Sequence, residues 1–160
     1  YNHAIRLAPQ NAEPHIVRGL VYKPIGRPRD ALSDYDRAIH IDPHNVRAFI
    51  DRADIRRLFF QYHLALKDYN DAIRLDPNNA QAYHKRGVTH DNFGHPRLAA
   101  NDFEQAVRLD PDYAAAYNSR GSVHLNSGNI KLACNDFQKA CELGDCAYLK
   151  WARKNGNCRQ

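Results

Sequence analysis

Small and aromatic residues along this chain recur with the spacing of one helical face. Ala31, Tyr35 and Ala38 are separated by four and three residues, and side chains at that spacing lie on the same face of an α-helix. The alanines let a neighbouring helix approach, and the aromatic ring fills the remaining gap. Each such triplet therefore predicts an amphipathic helix. The other triplets are Ala65, Tyr69 and Ala72; Ala99, Phe103 and Ala106; and Ala133, Phe137 and Ala140.

The rest of the chain repeats with these triplets at a spacing of 34 residues. Rows that begin at Ala12, Val46, Ala80 and Ala114 align without a gap. Each row opens with a ring, three residues ahead of an arginine that is followed by a small residue. A fixed period of this length is typical of arrays in which each repeat is one supersecondary unit. The opening groups are His15, Arg18 and Gly19; Phe49, Arg52 and Ala53; Tyr83, Arg86 and Gly87; and Tyr117, Arg120 and Gly121.

Glycine and proline divide the rows into pairs of helices. Gly26, Gly94 and Gly128 fall between the two halves of their rows, where a residue with positive φ ends a helix most easily. The first three rows close on Asp-Pro, and the residue before a proline resists helical geometry. The sequence therefore predicts helix–turn–helix units. The predicted pairs are 13–24 with 28–41, 47–60 with 62–75, 81–92 with 96–109, and 115–126 with 130–143.

Over residues 1–145 this pattern resembles the tetratricopeptide repeat family. The resemblance implies an all-α fold, a right-handed superhelical solenoid of helix–turn–helix repeats whose concave face is lined by the first helix of each pair. The opening residues show neither a start methionine nor a signal-peptide pattern, so we expect a fragment whose targeting signal lies upstream. The predicted segments are the second helix of a partial repeat (1–11), four repeats (12–45, 46–79, 80–113 and 114–145) and a capping helix with its tail (146–160).

Two charged positions recur in all four rows. An arginine and an aspartate sixteen residues later occupy the same slots each time, and arginine and carboxylate groups pair well in bidentate geometry. We expect a structural ladder of ion pairs inside or between repeats, in preference to ligand binding at these positions. The pairs are Arg18 with Asp34, Arg52 with Asp68, Arg86 with Asp102, and Arg120 with Asp136.

The second row departs from the others at its turn. Phe60 stands where the other rows carry glycine, and a bulky residue at positive φ costs roughly 1 kcal/mol or more. We expect either a remodelled turn or a longer first helix. Phe59 and Phe60 then form an exposed aromatic patch for a partner, or their rings pack against adjacent turns.

The array ends in a short amphipathic helix, predicted over 147–155. A solenoid needs its last apolar face covered, so we expect this helix to act as a lid. Trp151 falls at the position of the opening ring of earlier rows, which suggests a truncated fifth first helix. The residues expected to be buried are Tyr148, Leu149, Trp151 and Ala152.

All four cysteines, Cys134, Cys141, Cys146 and Cys158, lie in this terminal stretch. A lid antiparallel to the preceding helix brings Cys158 towards Cys134 and leaves Cys146 near Cys141. Two disulfides would therefore staple the cap and favour an extracytoplasmic, periplasmic location over a cytoplasmic one. The alternatives are four reduced cysteines, two of them small core residues, and a four-cysteine zinc site, although the spacings lack a Cys-x2-Cys knuckle.

Charge and motifs narrow the functional class. The net charge is +5, but the 23 basic and 18 acidic residues are interspersed, which favours a solvated surface and no nucleic-acid role. No apolar run approaches the roughly 20 residues of a membrane span. No catalytic or phosphate-binding motif is present, so we expect a non-enzyme without cofactor. A metal shared by His90 and His124 is not expected, because equivalent slots of adjacent repeats lie far apart.

The first-helix positions left over from packing predict a groove that binds a protein or peptide segment. Alternatives are self-association, through the open amino-terminal face or through Phe59 and Phe60, and a regulatory arm of a larger protein with an upstream domain. The chaperone-tail clamp of some family members is not expected, since only Lys85 fits it. The predicted lining is Ile16, Val17, Leu20, Arg47, Ile50, Asp51, Asp54, Gln81, His84, Lys85, Val88, Asn118, Ser119 and Ser122.

Overall fold

The chain folds entirely into α-helices in a computed structural model that describes residues 1–158. Arg159 and Gln160, the end of the predicted tail, lie outside the described residues. Within 1–158 there are ten helices and no strand. They are α1 (Asn2–Leu7), α2 (Glu13–Tyr22), α3 (Pro28–Ile41), α4 (Val46–Leu58), α5 (Tyr62–Leu75), α6 (Ala80–Asn92), α7 (Pro96–Leu109), α8 (Ala114–Asn126), α9 (Ile130–Glu142) and α10 (Ala147–Lys154).

All eight helices of the predicted pairs are present, with ends that differ from the prediction by no more than two residues. The chain forms two compact units, Tyr1–Pro77 (unit 1) and Asn78–Gln160 (unit 2). In unit 1, α2 packs on α3, α3 on α4 and α4 on α5. In unit 2, α6 packs on α7, α7 on α8, α8 on α9 and α9 on α10. Each unit is therefore a stack of antiparallel helix pairs.

The repeated triplets form the cores of these stacks. Tyr35, Tyr69, Phe103 and Phe137 are fully or almost fully buried, as are the alanines that flank them. The first helices approach so closely that a Cβ placed on Gly121 would lie 2.7 Å from the ring of Phe137. Glycine at this position thus makes room for the ring, despite its low helix propensity.

The irregular second-row turn keeps the geometry of the glycine turns. Phe60 has φ 59°, close to the 84° of Gly94 and the 79° of Gly128. The amide of Gln61 donates to the carbonyl of Arg56 at 2.9 Å, the same bond that closes the other turns. The expectation of a remodelled turn or a longer helix was therefore wrong, because the hydrogen-bonded turn holds Phe60 in the left-handed region.

The capping helix α10 covers the last repeat with a different face from the one expected. Leu149 and Ala152 are buried, whereas Tyr148 and Trp151 remain 45% and 51% exposed. The assignment of these two rings to the core, and of Trp151 to the opening-ring position, was wrong. Gly144, at φ 100°, ends α9 one residue earlier than the repeat predicts. Helix α10 then begins one residue early, which leaves Tyr148 and Trp151 at the edge of the core, where each ring is about half exposed.

Both expected disulfides are present in the cap. Cys134 is bonded to Cys158 with a Cα–Cα distance of 5.5 Å, and Cys141 to Cys146 with 4.0 Å. The first bond ties the segment after α10 to the middle of α9, and the second ties the end of α9 to the residue before α10. The cap is thus held to α9 on both sides of its helix.

Candidate functional site

The repeated arginines and aspartates form the expected bidentate pairs. In each repeat, arginine Nε and one terminal nitrogen donate to the two carboxylate oxygens of the aspartate sixteen residues later. Between Arg52 and Asp68 these distances are 3.0 and 2.6 Å. The four aspartates are buried, so the pairs join the two helices of a repeat where water does not compete.

The same arginines also reach the preceding repeat. Arg52 donates its remaining terminal nitrogen to Asp36 at 2.6 Å, and Arg120 donates to Glu104 in the same way. The hydrogen bond to Asp136 is the main cause that raises the pKa of Arg120. This third bond connects one repeat to the next. The ladder of Arg–Asp pairs is therefore structural, and these arginines are used in contacts within it.

The predicted groove lining of unit 1 is largely occupied by its own contacts. Ile16, Ile50 and Asp54 are buried, so their prediction as groove-lining residues was wrong. The hydroxyl of Tyr69 donates to Asp54 at 2.6 Å, and burial raises the pKa of that hydroxyl. The Asp54 carboxylate is therefore used in a buried contact between α4 and α5 and does not line an accessible groove. The remaining predicted residues of this unit are exposed or half-buried: Val17, Leu20, Arg47 and Asp51.

The predicted lining of unit 2 stays accessible, apart from Asn118. That residue is buried and donates to Asp145 at 2.7 Å. The others lie on α6 and α8 with exposed or half-buried side chains. We call this surface the inner face of unit 2; it consists of Gln81, His84, Lys85, Val88, Ser119 and Ser122.

A hydrogen-bonded histidine joins the two helices of the inner face. His84 Nε2 lies 3.0 Å from the Ser119 hydroxyl, and its Nδ1 lies 3.1 Å from the Tyr113 hydroxyl. The ring also packs 5.6 Å from Phe103, between centroids. Both ring nitrogens are engaged, so His84 holds its neighbours in position and the polar surface around it is pre-organised.

At the end of the inner face, α8 and α10 line an open, mainly apolar pocket of about 460 Å³. Ser122 belongs to both surfaces. The exposed sides of Tyr148 and Trp151 form the wall that α10 contributes. Sequence reasoning missed this wall because it assigned both rings to the core. The sequence did contain a signal for an exposed apolar side of α10, because this helix has more apolar residues than one buried face can hold. We call this pocket the cap cleft; it is lined by Ser122, Leu125, Asn126, Ala147, Tyr148 and Trp151.

A separate apolar patch lies in unit 1 at the turn between α4 and α5. Phe59 is 44% exposed and Phe60 77% exposed. Phe60 meets the ring of Tyr62 edge to face at 6.1 Å, so packing against the adjacent turn covers only a small part of it.

Residues 1–158 contain no group of three or more side chains placed to hold a metal ion. His90 lies 3.9 Å from Asp102, and burial lowers its pKa. No helix in the described range is long and apolar enough to cross a bilayer.

Comparison with known proteins agrees with the repeat geometry. A family model described as "TPR repeat" matches residues 61–92, and one described as "Tetratricopeptide repeat" matches residues 84–146. No curated protein sequence matches the chain. The fold is that of tetratricopeptide-repeat solenoids, and the chain belongs to the tetratricopeptide repeat family, a class of protein-interaction scaffolds.

Solved structures share this fold along most of the chain. The crystal structure of MamA is 26% identical, with a TM-score of 0.81, and the match covers 89% of this chain and 84% of MamA. PilF of Pseudomonas aeruginosa is 17% identical with a TM-score of 0.85, covering 96% and 73%. The first TPR of Spaghetti (RPAP3), solved with the HSP90 peptide SRMEEVD, is 24% identical with a TM-score of 0.71, covering 74% and 94%.

Proposed function

We propose that the protein is a non-enzymatic scaffold that binds a peptide or protein segment on the inner face of unit 2. The observation that carries this proposal is the continuity of two surfaces. A half-buried polar strip, fixed by His84 and Ser119, leads through Ser122 into the apolar cap cleft. Polar groups that bind the backbone of a ligand, next to a pocket for a side chain, are the usual parts of a peptide-binding site.

Two structural relatives support this class of function. Spaghetti is described as bound to a peptide, and YrrB as a TPR protein with an unusual peptide-binding site. For this chain, the hydrogen bonds between His84, Ser119 and Tyr113 immobilise polar side chains before any ligand arrives. A surface ordered in advance loses less conformational entropy on binding.

A displayed library of random peptides tests the proposal without requiring the natural partner. Peptides enriched on the wild-type protein should bind about tenfold more weakly to a Gln81→Ala, Lys85→Ala variant, a loss of about 1.4 kcal/mol. A matched control, Arg97→Ala with Leu98→Ala, changes exposed residues on α7 and should leave binding unchanged. Equal binding to all three proteins would reject the inner face as the site.

Self-association is a second candidate function, favoured by the exposed aromatic patch. Phe60 accepts a left-handed backbone and still presents most of its ring to solvent, which is the behaviour of a contact residue. Light scattering across a concentration series should show dimers that Phe60→Gly abolishes and Leu98→Ala retains. A protein that stays monomeric at every concentration would remove this candidate.

A further inference from the structure

We propose that the cap cleft receives a large apolar side chain of an acidic peptide segment. This inference rests on the proposed function, because the cleft lies at the end of the inner face and shares Ser122 with it. It adds two properties of the partner: an aromatic or long aliphatic anchor, and negative charge beside that anchor.

The first observation is that α10 exposes aromatic side chains, which are unusual on the outer surface of a terminal repeat. Terminal repeats of solenoids normally present a polar outer surface. Here α10 buries Leu149 and Ala152 and leaves Tyr148 and Trp151 about half exposed. These rings line a concave pocket together with Leu125. A pocket of about 460 Å³ with mainly apolar walls has room for one large side chain of a ligand.

The second observation is that the cleft is held open in advance. The disulfides Cys141–Cys146 and Cys134–Cys158 fix both sides of α10 to α9. The ring of Tyr148 stacks on Phe137 with centroids 5.6 Å apart. The disulfides therefore hold the helix that carries the aromatic wall, and the stacking contact orients one of its two rings. A pre-formed pocket binds an anchor residue at a lower entropic cost.

The third observation is the position of the charge. Residues 146–160 contain Lys150, Arg153, Lys154 and Arg159 and no acidic residue. The other 145 residues hold 19 basic and 18 acidic groups, so the cap carries almost all of the +5 net charge. Lys150 and Lys154 are exposed on α10. Each lies three residues after a residue that lines the cleft, Ala147 or Trp151, and is therefore its neighbour on the helix surface. A concentration of one sign beside an apolar pocket selects a partner of the opposite sign.

An anionic membrane surface also attracts helices that combine tryptophan, tyrosine and lysine. Such helices direct their apolar side chains outwards into the lipid. In α10, Leu149 and Ala152 face the protein core, and the rings of Tyr148 and Trp151 line a recess beside α8. A recess fits an inserted side chain better than a lipid surface, so the geometry favours the peptide.

The test uses the same random peptide library on the oxidised protein. Enriched peptides should carry net negative charge and one aromatic or long aliphatic residue. Trp151→Ala and the cleft-filling Ala147→Trp should each weaken their binding about tenfold. Lys150→Glu with Lys154→Glu should weaken it by a similar factor and remove its salt dependence. Leu98→Ala and Lys131→Glu are the matched apolar and charge controls, on exposed sites of α7 and α9, and should change nothing.

The alternative outcomes are distinct. Enriched peptides that respond to Gln81 and Lys85 changes but are neither acidic nor sensitive to Trp151→Ala would overturn this inference and leave the proposed function standing. No enrichment over the library background would overturn both. A parallel sedimentation assay compares vesicles of phosphatidylcholine with vesicles that also contain phosphatidylserine. Binding to the latter that requires Trp151 and Lys154, without peptide enrichment, would assign the cleft to a membrane instead.

Discussion

Units 1 and 2 use the same frame of buried rings and Arg–Asp pairs, yet their first helices present different chemistry. In unit 1, the hydroxyl of Tyr69 donates a hydrogen bond to Asp54, so that carboxylate oxygen is already used inside the unit. In unit 2, the ring position of Tyr69 is taken by Phe103, which has no hydroxyl, and Val88 stands at the position of Asp54. The shared positions therefore fix how helices stack, and the positions that vary decide which surface remains available to a partner.

The shared frame should fail wherever its buried carboxylates are removed. Asp68 accepts from both Arg52 and Arg56 and is almost fully buried. We expect Asp68→Ala to lower the free energy of unfolding by roughly 4 kcal/mol, because it removes the buried carboxylate that two mostly buried arginines share. Urea denaturation followed by circular dichroism measures the loss. Asp71→Ala, which removes only a surface pair with Arg74, should cost less than about 1 kcal/mol, and an equal effect of the two changes would contradict the ladder.

Both disulfides lie in unit 2, so removing one should lower the stability of unit 2 and not that of unit 1. Cys134→Ser with Cys158→Ser opens a loop of 24 residues and should destabilise the cap by about 3 kcal/mol. Trp151 is the single tryptophan of the chain, so its fluorescence reports on the cap during urea unfolding. The midpoint seen by Trp151 should fall. If it does not change, the disulfide does not hold the cap in place.

Exchanging the turn residues of the two units should change the free energy of unfolding in opposite directions. Phe60 and Gly94 both have positive φ, 59° and 84°, and a side chain in the left-handed region costs about 1 kcal/mol. We expect Phe60→Gly to stabilise the chain and Gly94→Phe to destabilise it, each by about 1 kcal/mol, in urea titrations. A destabilising Phe60→Gly would mean that the exposed ring contributes packing that outweighs its backbone strain.

The smallest expected effect is a pH dependence that His90 gives to unit 2. Burial lowers the pKa of His90 in the folded protein, so the unfolded chain binds a proton more readily. Stability should therefore be complete above the unfolded pKa of about 6.5 and decrease as the pH falls below it. The decrease should be weaker in His90→Gln, measured by urea titrations at a series of pH values. An identical profile in both proteins would contradict this assignment.

The features that repeat were predictable from the sequence, because one position could be checked against three others. The triplet around Tyr35, the pairing of Arg52 with Asp68 and the helix pairs are all of this kind. The disulfides followed from the antiparallel path of the chain between Cys134 and Cys158. Each depends on local spacing and helix geometry.

The features that were missed depend on a single turn or on a contact made through space. Trp151 lies in the cleft because Gly144 ends α9 one residue early, which shifts the whole face of α10. The burial of Asp54 depends on a hydroxyl from another helix. Phe60 keeps a glycine-like turn because surrounding hydrogen bonds outweigh its own preference. The spacing of residues does not encode such contacts, so the binding surface was predicted less well than the fold.

The most direct measurement is an amide and indole NMR titration of the oxidised protein with a peptide selected from the library. We predict that the largest shifts will map to the inner face of unit 2 and the cap cleft, including Lys85, Ser119, Ser122 and the indole of Trp151. Helices α7 and α9, the second helices of their pairs, should change little. Shifts concentrated on α7 and α9, or at the turn around Phe60, would show that the peptide does not bind to the inner face of unit 2 or to the cap cleft.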